Sequence, residues 1–148
     1  MFLLLLATVV WKDIRTRRIP NVIVLGIAAA GIFSIPFFPA ISLADRGIGI
    51  FCVSVPLLVL TWIVPGCFGG GDIKLMGACG AFLGWKITLV SAFIAILFGG
   101  MWGIGLLLGK KKSRKDHFAF GPFLCIGMVI GLLWGGQIIS WYMGFLEI

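Results

Sequence analysis

Two aspartates in this chain have settings unlike those of ordinary surface acids. Asp13 ends an apolar run that starts at Met1, and Asp72 opens another apolar run behind a series of glycines. Only five of the 148 residues are acidic, so two of them at the borders of apolar segments are more than solubility requires. Two carboxylates within hydrogen-bond reach cannot both ionise cheaply, and they share a proton. The ionised member can take a proton from water as general base, while the protonated member donates to a carbonyl oxygen. The roles exchange as an amine leaves. Water attacks directly, and the titration belongs to the pair rather than to either residue. A carboxylate at the middle of a membrane helix costs about 2.5–3.5 kcal/mol on insertion scales, and less near the interface. Plain structural roles exist for each acid: Asp72 can cap the helix it opens, and Asp13 can pair with Arg15 or Arg17. The pair, in its two contexts, is what points to catalysis.

Other catalytic sets are poorly supplied. His117 is the only histidine, so a Cys/His or Ser/His/Asp arrangement would rest on that one residue. Cys52, Cys67, Cys79 and Cys125 are scattered with no C-x-x-C pair, which disfavours a zinc ribbon. Cys52, Cys79 and Cys125 lie in apolar runs and read as packing residues. No metal or cofactor is expected.

The glycines before Asp72 matter for what can approach it. Gly69, Gly70 and Gly71 allow backbone conformations closed to other residues and let a peptide strand come close. A phosphate-cradling loop is the competing reading, but the G-x-x-x-x-G-K-[ST] spacing is missing and the following acid would repel phosphate. Lys74 lies two residues past Asp72, about 200° round a helix, and need not face the acids. It can instead extend to lipid headgroups. Pro20 disfavours helix at Ile19 and can set the angle of the chain there, and Asn21 can fix the turn. Gly121 and Pro122 either keep backbone carbonyls free near a substrate path or simply begin a helix, where proline is favoured.

The elements that position these residues are membrane helices. Hydrophobic residues make up 61% of the chain and charged residues 11%, with 22 glycines, whereas soluble domains carry roughly 25% charged residues. A lipid-facing surface and close glycine-mediated helix packing account for this composition. About six segments are expected from the apolar runs: residues 1 to 13, 20 to 38, 47 to 64, 72 to 83, 87 to 108 and 118 to 142. Asp45 and Arg46 are expected in the turn-rich connection after the second, and Trp85 in a turn after the fourth. The net charge of +7 comes from short basic blocks between apolar runs, which argues for lipid headgroups as partners and against nucleic acid. The Met1 to Trp11 run is expected to be a short first span rather than a signal peptide, since its basic residues follow it and no small-residue cleavage site appears. Lys12, Arg15, Arg17 and Arg18 follow the first segment, and a block from Lys110 to Lys115 follows the fifth. An even number of crossings separates the blocks, so both face the cytoplasm. Both termini then lie outside, and Asp13 and Asp72 share the cytoplasmic end of the bundle.

The residues around the acids also resemble a known family. Gly69-Gly70-Gly71-Asp72 is similar to the G-x-G-D signature of intramembrane aspartic proteases, shared by prepilin and preflagellin peptidases, presenilins and signal peptide peptidases. The run from Asp72 to Met76 resembles the G-G-G-D-x-K-L segment of bacterial prepilin peptidases. The run from Asp13 to Asn21 resembles their D-x-x-x-x-x-I-P-N segment, and Phe120-Gly121-Pro122-Phe123 resembles the F-G-P-F that opens their last span. The Y-D and P-A-L motifs of presenilin-type enzymes do not occur. The resemblance implies an all-α membrane bundle, catalytic roles for Asp13 and Asp72, and removal of the leader from type IV prepilins or pseudopilins at the inner membrane of a prokaryote. It also implies substrate contacts for Gly69, Gly70, Gly71, Lys74, Pro20, Asn21, Gly121 and Pro122, with an acidic residue of the pilin as the alternative to lipid headgroups for Lys74. Long bifunctional members carry an N-terminal segment with C-x-x-C pairs linked to N-methylation. Residues 1–148 are therefore expected to form a single peptidase domain without that segment, similar to the short form found with Flp-type (tight-adherence) pili.

Two other functions fit the same composition: a non-catalytic membrane assembly subunit of a pilus or secretion system, and a small proton-coupled transporter whose buried acids carry protons. Inverted repeats, frequent in transporters, are not evident. The identity of the substrate and the oligomeric state are not encoded in these motifs.

Overall fold

A computed structural model describes residues 1–65, 68–109 and 120–146. Among these residues there are six helices and no strand: α1 (Phe2–Thr16), α2 (Asn21–Phe33), α3 (Leu43–Ile63), α4 (Gly70–Leu83), α5 (Trp85–Leu108) and α6 (Gly121–Leu146). The expected all-helical bundle is thus present. His117, Cys67 and the Lys110 to Lys115 block lie outside the described residues.

Helices α3, α5 and α6 contain stretches long and apolar enough to cross a bilayer. Helices α1, α2 and α4 have 15, 13 and 14 residues. At 1.5 Å per residue each spans only about 20–22 Å, short of a hydrocarbon core of about 30 Å. Large apolar side chains such as Trp62, Phe93, Trp102 and Trp141 point outward, which is stable only against lipid. The chain is a multi-pass membrane protein.

Helix α4 is the centre of the bundle, packed by α2, α3, α5 and α6. Its neighbours approach closely because glycines line the contacts. A Cβ built on Gly80 would overlap the backbone of Gly49 on α3, and the reverse also holds. Gly127 and Gly131 of α6 likewise leave room only for Ser91 and Ala95 of α5. Without a hydrophobic drive between helices in lipid, such close approach is the main source of attraction.

Helix α1 packs on α2 and α6. Its buried residues are Phe2, Leu6, Val9 and Asp13, spaced as one face of a helix. Asp13 therefore occupies the inward position that the apolar stripe would otherwise fill. The helix ends with Arg17 in the left-handed region at φ 51°, its N–H bonded to Asp13 O at 2.8 Å. Pro20 then caps α2 with φ −64°, and its carbonyl accepts from the Ile23 N–H. The break expected at Ile19-Pro20 is where the chain turns.

The far end of the bundle departs from expectation. Asp45 and Arg46 lie in the first turn of α3, not in a connection, and Arg46 is only 5% exposed. Ser42 starts this helix: its hydroxyl accepts from the Asp45 N–H, and Asp45 accepts from the Ser42 N–H. The expected turn at Trp85 is instead the start of α5. Gly84, at φ 76°, makes the reversal alone, and the Trp85 indole N–H donates to Asp45 Oδ1 at 2.8 Å.

Candidate active site

Phe2 and Phe82 show how the acids come together. Their rings stack at 4.2 Å, joining the start of α1 to the end of α4, so the two helices run antiparallel. Eleven residues on along α1 is Asp13, and ten residues back along α4 is Asp72. These intervals measure about 16 Å and 15 Å, which brings the two carboxyls to one level. They are close enough to act on each other electrostatically. Both are buried, at 5% and 7% exposure.

A glycine backbone faces each carboxyl. Gly69 is the N-cap of α4, and its N–H donates to Asp72 Oδ2 at 3.2 Å. Gly69 has no side chain to return the bond, so only the Asp72 half of a capping box exists. Across the site, the Gly121 N–H at the start of α6 is directed at the Asp13 carboxyl. Pro122 has no N–H, and the Phe123 and Leu124 N–H groups bond to Phe120 O. Gly121 thus supplies the first turn's spare donor. The contact is not a closed one: Asp13 Oδ2 has no hydrogen-bond partner among the described residues. A Cβ built on Gly121 would overlap that carboxyl, so no other residue type fits there without moving Asp13.

The three glycines before Asp72 play separate parts. Gly69 holds the carboxyl. Gly71 packs against Ile19, and an added Cβ would stand 3.0 Å from the Ile19 Cβ. Gly70 has nothing within 4 Å of such a Cβ and leaves open space beside Asp72. Lys74 is exposed and donates from Nζ to Asn21 Oδ1 at 3.3 Å. This bond ties the start of α2 to α4 at the rim of the site. Pro20 shapes the turn beneath it.

Of the sequence-expected residues, the fold gathers Asp13, Asp72, Gly69, Gly71 and Gly121 at the centre and places Lys74, Pro20, Asn21, Gly70 and Pro122 around it. Cys125, read from sequence as packing, is buried on α6 within electrostatic range of both acids. Beside it, Leu6 and Val10 of α1 line an apolar groove between α1 and α6. Among the described residues, no three His, Cys, Asp or Glu side chains gather as a metal site requires. Sequence reasoning gave no role to the rings of Phe68 and Phe120, which meet edge to face with centroids 5.1 Å apart. Their sequence signals are that each directly precedes one of the two carboxyl-facing glycines and that Phe120 opens the F-G-P-F motif.

Comparison with known proteins identifies the family. The sequence model of the type IV leader peptidase family matches residues 1–104, which include both aspartates. A prepilin leader peptidase/N-methyltransferase of Aeromonas hydrophila is 32% identical over 143 residues, covering 93% of this chain and 49% of that protein. The protein of the same name from Bacillus subtilis (strain 168) is 32% identical over 150 residues, 97% of this chain and 58% of its own. That of Legionella pneumophila is 43% identical over 79 residues, 53% of this chain and 28% of its own. The chain spans about half the length of the Aeromonas relative. No solved structure shows significant similarity. With the family matched over most of its length, the chain belongs to the type IV leader peptidase family.

Proposed function

We propose that the protein is an aspartic endopeptidase that removes the leader peptide from type IV prepilins or prepilin-like proteins, with Asp13 and Asp72 activating water. The observation that carries this reading is the meeting of two buried carboxyls, from antiparallel helices, with a glycine N–H aimed at each. Paired acids buried inside a membrane bundle are candidates for function. One carboxylate removes a proton from water, the other donates to the scissile carbonyl oxygen, and the proton returns to the leaving amine. Open space at Gly70 admits an extended peptide beside Asp72. The relatives' name also includes an N-methyltransferase activity; the carboxyl pair supports the peptidase activity alone.

Residues 1–148 act on this reading as one membrane-embedded peptidase domain in the inner membrane of a prokaryote. The basic residues from Lys12 to Arg18, in the last turns of α1 and just after it, support a cytoplasmic position for the acid end of the bundle by the positive-inside rule, with both termini outside. A leader that remains in the cytoplasm then meets the acids directly. Gly69, Gly71 and Gly121 shape the site, and Gly70, Lys74, Pro20, Asn21 and Pro122 form its rim.

The test is cleavage of a purified prepilin by the full chain in proteoliposomes. Asp13→Asn and Asp72→Asn, made separately, are each expected to abolish leader removal with the fold intact. Cleavage at the normal rate by either variant would rule out the dyad. Proton flux through the vesicles without any cleavage would instead identify a transporter.

A further inference from the structure

Two Phe-Gly dipeptides occupy equivalent places on opposite sides of the acid pair. Phe68-Gly69 leads into α4, and the Gly69 N–H bonds Asp72. Phe120-Gly121 leads into α6, and the Gly121 N–H faces Asp13. The two phenylalanines contact each other at 5.1 Å with their planes 72° apart, in the edge-to-face geometry that aromatic pairs prefer. Each ring is also seated. Phe68 and Phe120 both pack on the buried core, and Phe120 fills a notch at Gly99 of α5 that an added Cβ would close.

From this we infer that Phe68 and Phe120 are positioning residues, an aromatic clasp that fixes the two glycine N–H groups, and through them the two carboxyls, at the separation the reaction needs. The inference rests on the peptidase reading. Neither ring touches the reacting atoms. Each acts through the peptide bond that follows it, because fixing a phenylalanine fixes the direction of the next residue's N–H. Catalytic geometry is sensitive at this scale, since a displacement of about 1 Å can cost about a hundredfold in rate.

The test uses the full chain in proteoliposomes with a prepilin, measuring kcat and KM from pH 4 to pH 9. The variants are Phe68→Leu, Phe120→Leu and the double substitution, with Phe68→Tyr as the ring-retaining control. Each Leu variant is expected to lower kcat about tenfold with little change in KM. The double variant should fall no further than the more damaged single, because one loss already breaks the contact. The two limbs of the pH–rate profile should also move towards each other, since carboxyls held farther apart are less strongly coupled. Phe68→Tyr should keep the wild-type rate and profile. Multiplicative losses in the double variant, or lower kcat with an unchanged pH profile, would overturn the clasp. If the Leu variants do not fold, Phe120→Met keeps the volume without the ring and is read by the same criteria. Asp13→Asn and Asp72→Asn are run alongside. Cleavage by these would sink the peptidase reading itself, whereas inactive Asn variants beside fully active ring variants would sink the clasp alone.

Discussion

The two ends of this bundle treat buried charge in opposite ways. At one end, Arg46 Nη1 donates to Gly31 O at 3.0 Å, Ala81 O at 3.0 Å and Ser34 Oγ at 2.8 Å. Gly31 and Ala81 lie in the last turns of α2 and α4, whose carbonyls have no partners further along their own helices. A cation at a helix C-terminus also complements the helix dipole. Ser42, Asp45 and Trp85 close the start of α3 in the same region. At the other end, the two buried carboxyls have one closed hydrogen bond among the described residues, from Gly69 to Asp72, and Asp13 Oδ2 has no partner among them. The first end uses charge to complete helix ends. The second leaves a carboxyl oxygen without a partner among the described residues, as the proposed proton transfer requires.

The comparison makes a crossed prediction with large effects in both directions. Asp72→Asn should lower the cleavage rate by about 10²-fold or more with thermal unfolding unchanged. Arg46→Leu should do the reverse. It takes a donor from Gly31 O, Ser34 Oγ and Ala81 O, although Gly31 O keeps the Ser34 hydroxyl, and it also removes Nε and Nη2, which have no partner among the described residues, so a net loss of about 2–4 kcal/mol is expected. The rate per folded molecule should hold. Thermal unfolding in detergent and leader cleavage, measured on the same preparations, decide it. An Arg46→Leu protein that folds normally but fails to cleave would show that the two ends are not separate in role.

A pair of glycines sharpens the same contrast at smaller scale. Gly80→Ala puts a Cβ into the Gly49 backbone and should destabilise by about 1–3 kcal/mol, as overpacking does. Gly70→Ala meets nothing within 4 Å and replaces a poor helix former near the start of α4, so stability should rise by up to about 1 kcal/mol. The two are compared by unfolding temperature. Cleavage by the Gly70→Ala protein then reads the open space: a raised KM with unchanged kcat marks it as part of the peptide path.

The acid end was more legible than the Arg46 end, for physical reasons. Phe2, Leu6, Val9 and Asp13 follow helical spacing, so Asp13 could be read as facing inward, and the glycines and Pro20 mark where the chain must turn. Arg46 was read as part of a connection because Pro36, Pro39 and a charged pair stand close together. The contrary signal was Ser42 with Asp45 three residues later, the pattern that starts a helix. The Gly49–Gly80 crossing and the Phe68–Phe120 contact had no such signal. Each joins residues far apart in sequence, and spacing along one helix says nothing about which other helix will meet it.

The smallest expected effect is at the rim, where Lys74 and Asn21 join the two motifs by a single bond. Both are exposed and the bond is 3.3 Å long, so water can replace it at little cost. Lys74→Met and Asn21→Ala should each shift stability by no more than about 0.5 kcal/mol. If the bond only holds the start of α2 against α4, the two variants and their double should share one small change in kcat/KM, because either substitution removes the same contact. A raised KM in Lys74→Met that Asn21→Ala does not reproduce would mean that the ammonium also contacts substrate. Lys74 points away from the buried pair, so the expected result is the shared change. That result would leave the rim with a structural task and keep the chemistry with Asp13 and Asp72.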